Sequence, residues 1–183
     1  MASFSYFIPL LLEAEGGYQS MSNDSGNYNS LGQLVGTNFG IAAKTYEVWI
    51  KRPPSVTDMK NMLKNTALDI YKFWYWNKLK ADSINSQSVA NIIVDHAVNA
   101  GPQSAGIMIQ RILNQKFHKN LAQDGIIGNI TIQAINSVNS QVLFDEIKKA
   151  RHSYYYSIGG AFLDGWISRL NKFSFSEKKK ASQ

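Results

Sequence analysis

The 183-residue sequence predicts a mainly helical protein, with about nine helices and at most one small β-hairpin. Three observations predict it. Apolar residues cluster in segments of helical length behind capping residues, as in Val89-Ala90-Asn91-Ile92-Ile93-Val94 behind Ser86. Glycine and proline pairs such as Gly16-Gly17, Pro53-Pro54 and Gly101-Pro102 punctuate those segments. Strands alternating with helices are not seen, so the sequence carries no parallel-sheet signature. Aromatic residues at 12% and charged residues at 17% describe a well-packed globule with a polar surface, not a disordered chain.

The first helix spans about Phe4 to Ala14, with Pro9 near its start or kinking it. Its apolar run Leu10-Leu11-Leu12 carries Glu13 and Glu15 to the end, where Gly16-Gly17 stop it with left-handed backbone. No Lys or Arg precedes Lys44, so Glu15 has no cation near it in sequence. A carboxyl held against apolar side chains without a cation titrates above its usual range, as a general acid must near neutral pH. On these residues alone, a helix ending in a solvated Glu is the simpler reading.

From Gln19 to Gly36 the chain turns to Ser, Asn and Gly, a loop or short irregular hairpin long enough to be functional. Thr45 opens a short helix that ends before Pro53-Pro54, and Thr57-Asp58 cap the next, to about Lys64. The segment Ala67 to Trp76 ends in Phe73-Trp74-Tyr75-Trp76. Phe73 and Trp74 are expected in the core, whereas Tyr75 and Trp76 are candidates to floor a sugar cleft, since rings stack on pyranose faces. In the apolar helix behind Ser86, Asp95 and Asn99 share one face and call for a buried hydrogen-bond network. Gly101-Pro102 lead into a helix through Ala105, Ile109, Ile112 and Leu113. A glycine-rich turn, Asp124 to Asn129, precedes a helix led by Thr131. Helices from about Ser140 to Tyr156 and from Ala161 to Lys172 follow, and Lys178-Lys179-Lys180 reads as a frayed tail.

The formal charge is +6, yet residues 1–43 hold three acids and no base, so the positive charge lies in the remainder. Such a body suits an anionic polymer: nucleic acid, an anionic membrane face, or a wall rich in carboxylates and phosphates. The absence of cysteine excludes disulfides, thiol catalysis and Cys-ligated zinc. His96, His118 and His152 make no metal-ligand spacing, and no phosphate-binding loop is present, so neither metal nor cofactor is expected. The N-terminal apolar stretch lacks a basic n-region and a small-residue cleavage site, and reads as a core helix with no signal peptide.

Several landmarks, in order, resemble one family. They are Glu15-Gly16-Gly17-Tyr18, Asp24-Ser25-Gly26, Gly36-Thr37-Asn38-Phe39-Gly40-Ile41, Tyr71 with Tyr75-Trp76, and Asp95 to Asn99-Ala100-Gly101. Asp124-Gly125 with Gly128 and Thr131, Arg151 with Tyr154-Tyr155, and Phe162 with Gly165-Trp166 and Arg169 complete them. Together they resemble the N-acetylmuramidases of glycoside hydrolase family 108, once described as secretion activators. The resemblance implies a lysozyme-like helical fold, peptidoglycan as substrate, and hydrolysis of the β-1,4 bond between N-acetylmuramic acid and N-acetylglucosamine. It maps the catalytic acid onto Glu15 and implies a catalytic part over residues 1–95, with a peptidoglycan-binding part over 96–172 packed on it as one unit. A basic tail over 173–183 follows.

One departure from the family pattern is that Asn27 to Gly36 intervene between the Asp24 turn and Thr37. Asp24 is either the assisting carboxylate or a turn-stabilising Asx residue. Thr37-Asn38 are either a loop-to-helix transition or bind water and substrate, and Tyr18 joins Tyr75 and Trp76 as a substrate-binding candidate. A lytic transglycosylase using the same Glu15, a non-catalytic wall-binding module and a secretion-accessory protein are the alternatives. No nucleic-acid partner and no stable membrane insertion are expected. Synthesis in the cytoplasm and action at the cell wall or periplasm imply holin-dependent release or delivery by a secretion machine, with an immunity protein as a further partner.

Overall fold

The computed structural model describes residues 1–14 and 16–176, residues 12–14 by their backbone alone. Among them the chain is mainly helical, with isolated β-bridges and no sheet, as the sequence predicts. It forms two compact units, Met1–Phe7 with Phe73–Gln183, and Ile8–Lys72. None of the described helices is long and apolar enough to cross a membrane.

Helix α1 spans Phe4–Ala14, the bounds read from the sequence, with Pro9 inside it. In the unit Ile8–Lys72, α2 (Ala43–Ile50) ends at Lys51 in the left-handed region (φ 59°), and α3 spans Val56–Lys60. The start of α3 corrects the sequence reading. Ser55, and not Thr57-Asp58, is the cap: its side chain accepts from the Asp58 N–H while the Asp58 carboxylate accepts from the Ser55 N–H. Asp58 also takes a bidentate pair from Arg52 at 2.7 and 2.8 Å, and these hydrogen bonds hold its carboxyl well below the usual range. Helix α4 (Lys64–Tyr71) follows, and Ile41, Ala43, Met59, Ala67 and Ile70 pack as this unit's core.

The other unit is built on α5 (Gln87–Ala100), capped by Ser86 and buried from Ser88 to Ala97. α5 packs on α6 (Pro102–Phe117) and α8 (Ser140–Ile158), with α7 (Asn129–Asn136) against α6 and α8, and α9 (Leu163–Asn171) against α8. Gly106 on α6 has no room for a Cβ, which would stand 2.1 Å from the Gly125 carbonyl oxygen. The buried Gln110 stitches that turn to α6, donating to Asp124 at 2.8 Å and accepting from the Gly125 N–H at 2.8 Å. Beyond α9 the chain stays packed: Phe173 is buried, and Ser176 exchanges hydrogen bonds with Ser88. The Lys178-Lys179-Lys180 tail lies outside the described residues.

The aromatic run departs from expectation. A π-helical turn spans Lys72–Asn77, and its wider i→i+5 winding rotates side chains away from the positions that a regular helix would give them. Trp76, a cleft-floor candidate from sequence, is fully buried against Phe4 and Phe7 (centroids 5.6 and 5.9 Å) and donates its indole N–H to Asp82 at 2.8 Å. Phe73, expected inside, is 55% exposed, and Tyr75 is half-buried.

Asp95 and Asn99 do sit in a buried network. Asp95 accepts from Arg151 at 2.6 Å and from Arg169 at 2.8 Å, while Arg151 also donates to the Ile92 carbonyl and the Tyr155 hydroxyl. Asn99 donates to the same hydroxyl at 3.0 Å, so one carboxylate ties α5, α8 and α9 together. Beside it His96 is 1% exposed, edge-on to Tyr154 and Tyr155, and neither ring nitrogen has a hydrogen-bond partner among the described residues. Burial, then the positive Arg151, lowers its pKa from 6.5 to about 3. The unfolded chain takes up a proton at this histidine below the ordinary value and the folded chain does so only near pH 3, so acidification through that window costs stability. Between the ordinary value and about pH 5 the loss is on the order of 2 kcal/mol. Thermal unfolding of His96→Phe should show a smaller drop from about pH 7 to pH 5 than the parent does. An equal drop in both proteins would contradict this assignment.

Candidate active site

The segment that begins at Gly16 is held by a small lattice of amides. Gln19 and Thr37 exchange backbone hydrogen bonds at 2.9 and 2.8 Å, an antiparallel bridge that brings together residues eighteen apart. The intervening stretch is not slack. Asn27, fully buried, accepts from the Val35 and Gly36 N–H groups through its carbonyl and donates its side-chain amide to Gln19 and to the Met21 carbonyl. Asn29, 2% exposed, accepts from the Leu31 and Gln33 N–H groups and donates to the Pro54 carbonyl. The inserted residues therefore form a folded loop that returns the chain to Gln19.

Asp24 is half-buried, and each of its carboxylate oxygens has a partner. One accepts from the Gly26 N–H at 2.8 Å, an Asx turn that caps the short 3-10 turn Ser25–Asn27. The other accepts from the Gln19 side-chain amide at 3.1 Å. The Gln19 side-chain oxygen in turn accepts from Met21 N–H and Asn27, so the amide orientation is fixed from both ends. A carboxylate has roughly four acceptor positions, so Asp24 keeps capacity for a water or a substrate hydroxyl. Across the bridge, the Thr37 hydroxyl oxygen is buried and has no hydrogen-bond partner among the described residues.

Tyr18 lies on the same bridge. Its hydroxyl donates to the Val35 carbonyl at 3.1 Å, and the Lys60 ammonium stands 5.2 Å from its ring centroid. Gly36 (φ 92°) is required beneath that ring, because a Cβ there would come within 2.5 Å of it. Gly17, by contrast, does not take the left-handed backbone expected of it, and it is exposed with open space where a Cβ would stand. Asn38 is 4% exposed: its amide donates to the Met59 carbonyl at 2.8 Å and its oxygen accepts from the Phe39 N–H. That side chain is committed to holding the loop on α3.

The fold thus brings Tyr18, Asp24 and Thr37 together around Gln19, and uses Asn38 as their anchor. Glu15 lies outside the described residues, and Tyr75 and Trp76 belong to the other unit. Sequence reasoning missed Gln19 and Asn27, whose amides look like ordinary loop composition; their position flanking Asp24 was the available signal. No group of three or more His, Cys, Asp or Glu side chains gathers as a metal site among the described residues.

The chain is similar to known proteins in a way that covers these residues. Residues 8–101 match the family model described as glycosyl hydrolase 108, and residues 104–171 match one described as a predicted peptidoglycan domain. Among solved structures, SagA of Brucella abortus is 30% identical, over 93% of this chain and 90% of that one, with a TM-score of 0.78. No curated protein sequence matches.

Proposed function

The chain belongs to the glycosyl hydrolase 108 family, with a predicted peptidoglycan domain behind the hydrolase part, and from that premise we propose an N-acetylmuramidase. It is a peptidoglycan hydrolase. The bond we assign is the β-1,4 link from N-acetylmuramic acid to N-acetylglucosamine. Glu15 is the general acid that protonates the leaving oxygen as water adds to the muramic C1. Asp24, aimed by Gln19, orients that water together with the Thr37 hydroxyl. Tyr18 offers a half-buried ring to a sugar face. Catalysis belongs to residues 1–95 and wall binding to 96–172, with action at the cell wall.

The observation that carries this reading is the Asp24–Gln19–Thr37 arrangement, which directly follows Glu15-Gly16-Gly17-Tyr18 inside the family match. It is tested by release of reducing sugar from purified peptidoglycan. Asp24→Asn keeps the Asx turn, removes the charge and takes away the acceptor for the Gln19 amide, and should lower turnover roughly tenfold or more while wall retention holds. A lytic transglycosylase is the second reading, favoured by the two hydrogen bonds that already engage the Asp24 carboxylate. Turnover close to wild type in Asp24→Asn would leave Glu15 as a single acid and select it.

A further inference from the structure

A furrow of about 1080 Å³ runs between α6 and α8, within the unit that contains both helices. On α6, Ile107 and Arg111 line it one turn apart, and on α8, Glu146, Ala150 and Tyr154 do the same. Small residues on the α8 wall, Ala150, Ser153 and Ser157, keep it open. Its apolar walls include Ile107, Met108 and Tyr154, all half-buried.

The furrow's charge is unbalanced. Lys116 and Lys149 share a single carboxylate, Glu146, at 3.4 and 2.8 Å. Arg111 is exposed and has neither an ion pair nor a hydrogen bond among the described residues. Three cations against one acid leave room for an anionic ligand, and a guanidinium is well matched to a carboxylate, which it can clasp through two parallel bonds. A glycan strand is a poor fit, because neutral sugars seek stacked aromatic faces and this furrow has a single ring. An oligopeptide with small side chains and free carboxylates fits both the narrow apolar walls and the positive rim.

We propose that the α6–α8 furrow binds the peptide stems of peptidoglycan, with Arg111 as the anchor for a stem carboxylate. The inference rests on the reading that the chain acts on peptidoglycan, and the match of residues 104–171 to a predicted peptidoglycan domain covers most of the furrow. It adds a site and a ligand class: the wall is held by its peptides.

The test is co-sedimentation with purified sacculi, in a Glu15→Gln background so that the wall is not consumed. Intact sacculi are compared with the stem-free glycan strands that an amidase releases, immobilised on beads so that they sediment. The parent should bind intact sacculi better than the immobilised stripped glycan. Arg111→Glu, and Ser153→Trp which fills the furrow, should each weaken retention on intact sacculi by roughly fivefold to tenfold and leave binding to stripped glycan unchanged. Retention of either variant equal to the parent's on intact sacculi, or equal binding of the parent to both wall preparations, overturns the proposal. Product analysis of the active protein is a separate readout. Stem-dependent retention without muramidase products would sink the muramidase reading and uphold the furrow, and muramidase products with stem-independent retention would do the reverse.

Discussion

Glu15→Gln is expected to abolish hydrolysis of purified peptidoglycan, with a loss of about 100-fold to 10,000-fold, the range a lost general acid imposes. The amide keeps the size and shape of the side chain but has no proton to give to a leaving oxygen. Lys44 is the first cation in the sequence, so the ionised carboxylate gains no salt bridge from its neighbours in sequence and the amide forfeits none. Thermal unfolding at neutral pH should therefore be unchanged or shifted upward, as happens when a functional group is kept at some expense to stability. Substantial turnover in this variant removes Glu15 as the acid. An inactive variant that is also markedly less stable shows instead that the carboxylate is paired in the folded protein.

Asp95→Leu should be the most destabilising single substitution of those considered. Asp95 is 1% exposed and pairs with Arg151, fully buried, and with Arg169, so its removal takes the carboxylate from the buried Arg151 guanidinium. Breaking a buried pair from one side costs about 3–5 kcal/mol, because the stranded charge keeps its desolvation penalty. For a chain of this length that is a fall in Tm on the order of 10 °C. The contrast is Arg52→Ala, which breaks the more exposed pair with Asp58 and should cost far less. Urea unfolding of the two variants side by side checks the difference, and equal losses would mean that the Asp95 network is not the tie between α5, α8 and α9.

The sequence was most legible where local chemistry decides. The bounds of α1, the Ser86 cap of α5 and the Gly101-Pro102 entry to α6 all follow from rules that act within a few residues. At α3 two residues of capping type compete, and the reciprocal bonds between Ser55 and Asp58 decide in favour of the earlier one. The aromatic run failed because a π turn shifts its phase, which periodicity at 3.6 residues cannot register. Asp95 announced a need for partners, but Arg151 and Arg169 lie 56 and 74 residues away, and only tertiary packing selects them. The Asp24 site was half legible. Its residue types were visible, while the amides that aim it, Gln19 and Asn27, have the composition of any polar loop.

The central claim is hydrolysis at the muramic C1, and digestion of purified peptidoglycan in heavy-oxygen water tests it most directly. In the proposed reaction, water supplies the new hydroxyl on the muramic carbon, and the acid's proton goes to the departing N-acetylglucosamine oxygen. Mass spectrometry should therefore find muropeptides ending in reducing N-acetylmuramic acid, each carrying one heavy oxygen at that end. Unlabelled 1,6-anhydro ends, or label on reducing N-acetylglucosamine, would contradict it.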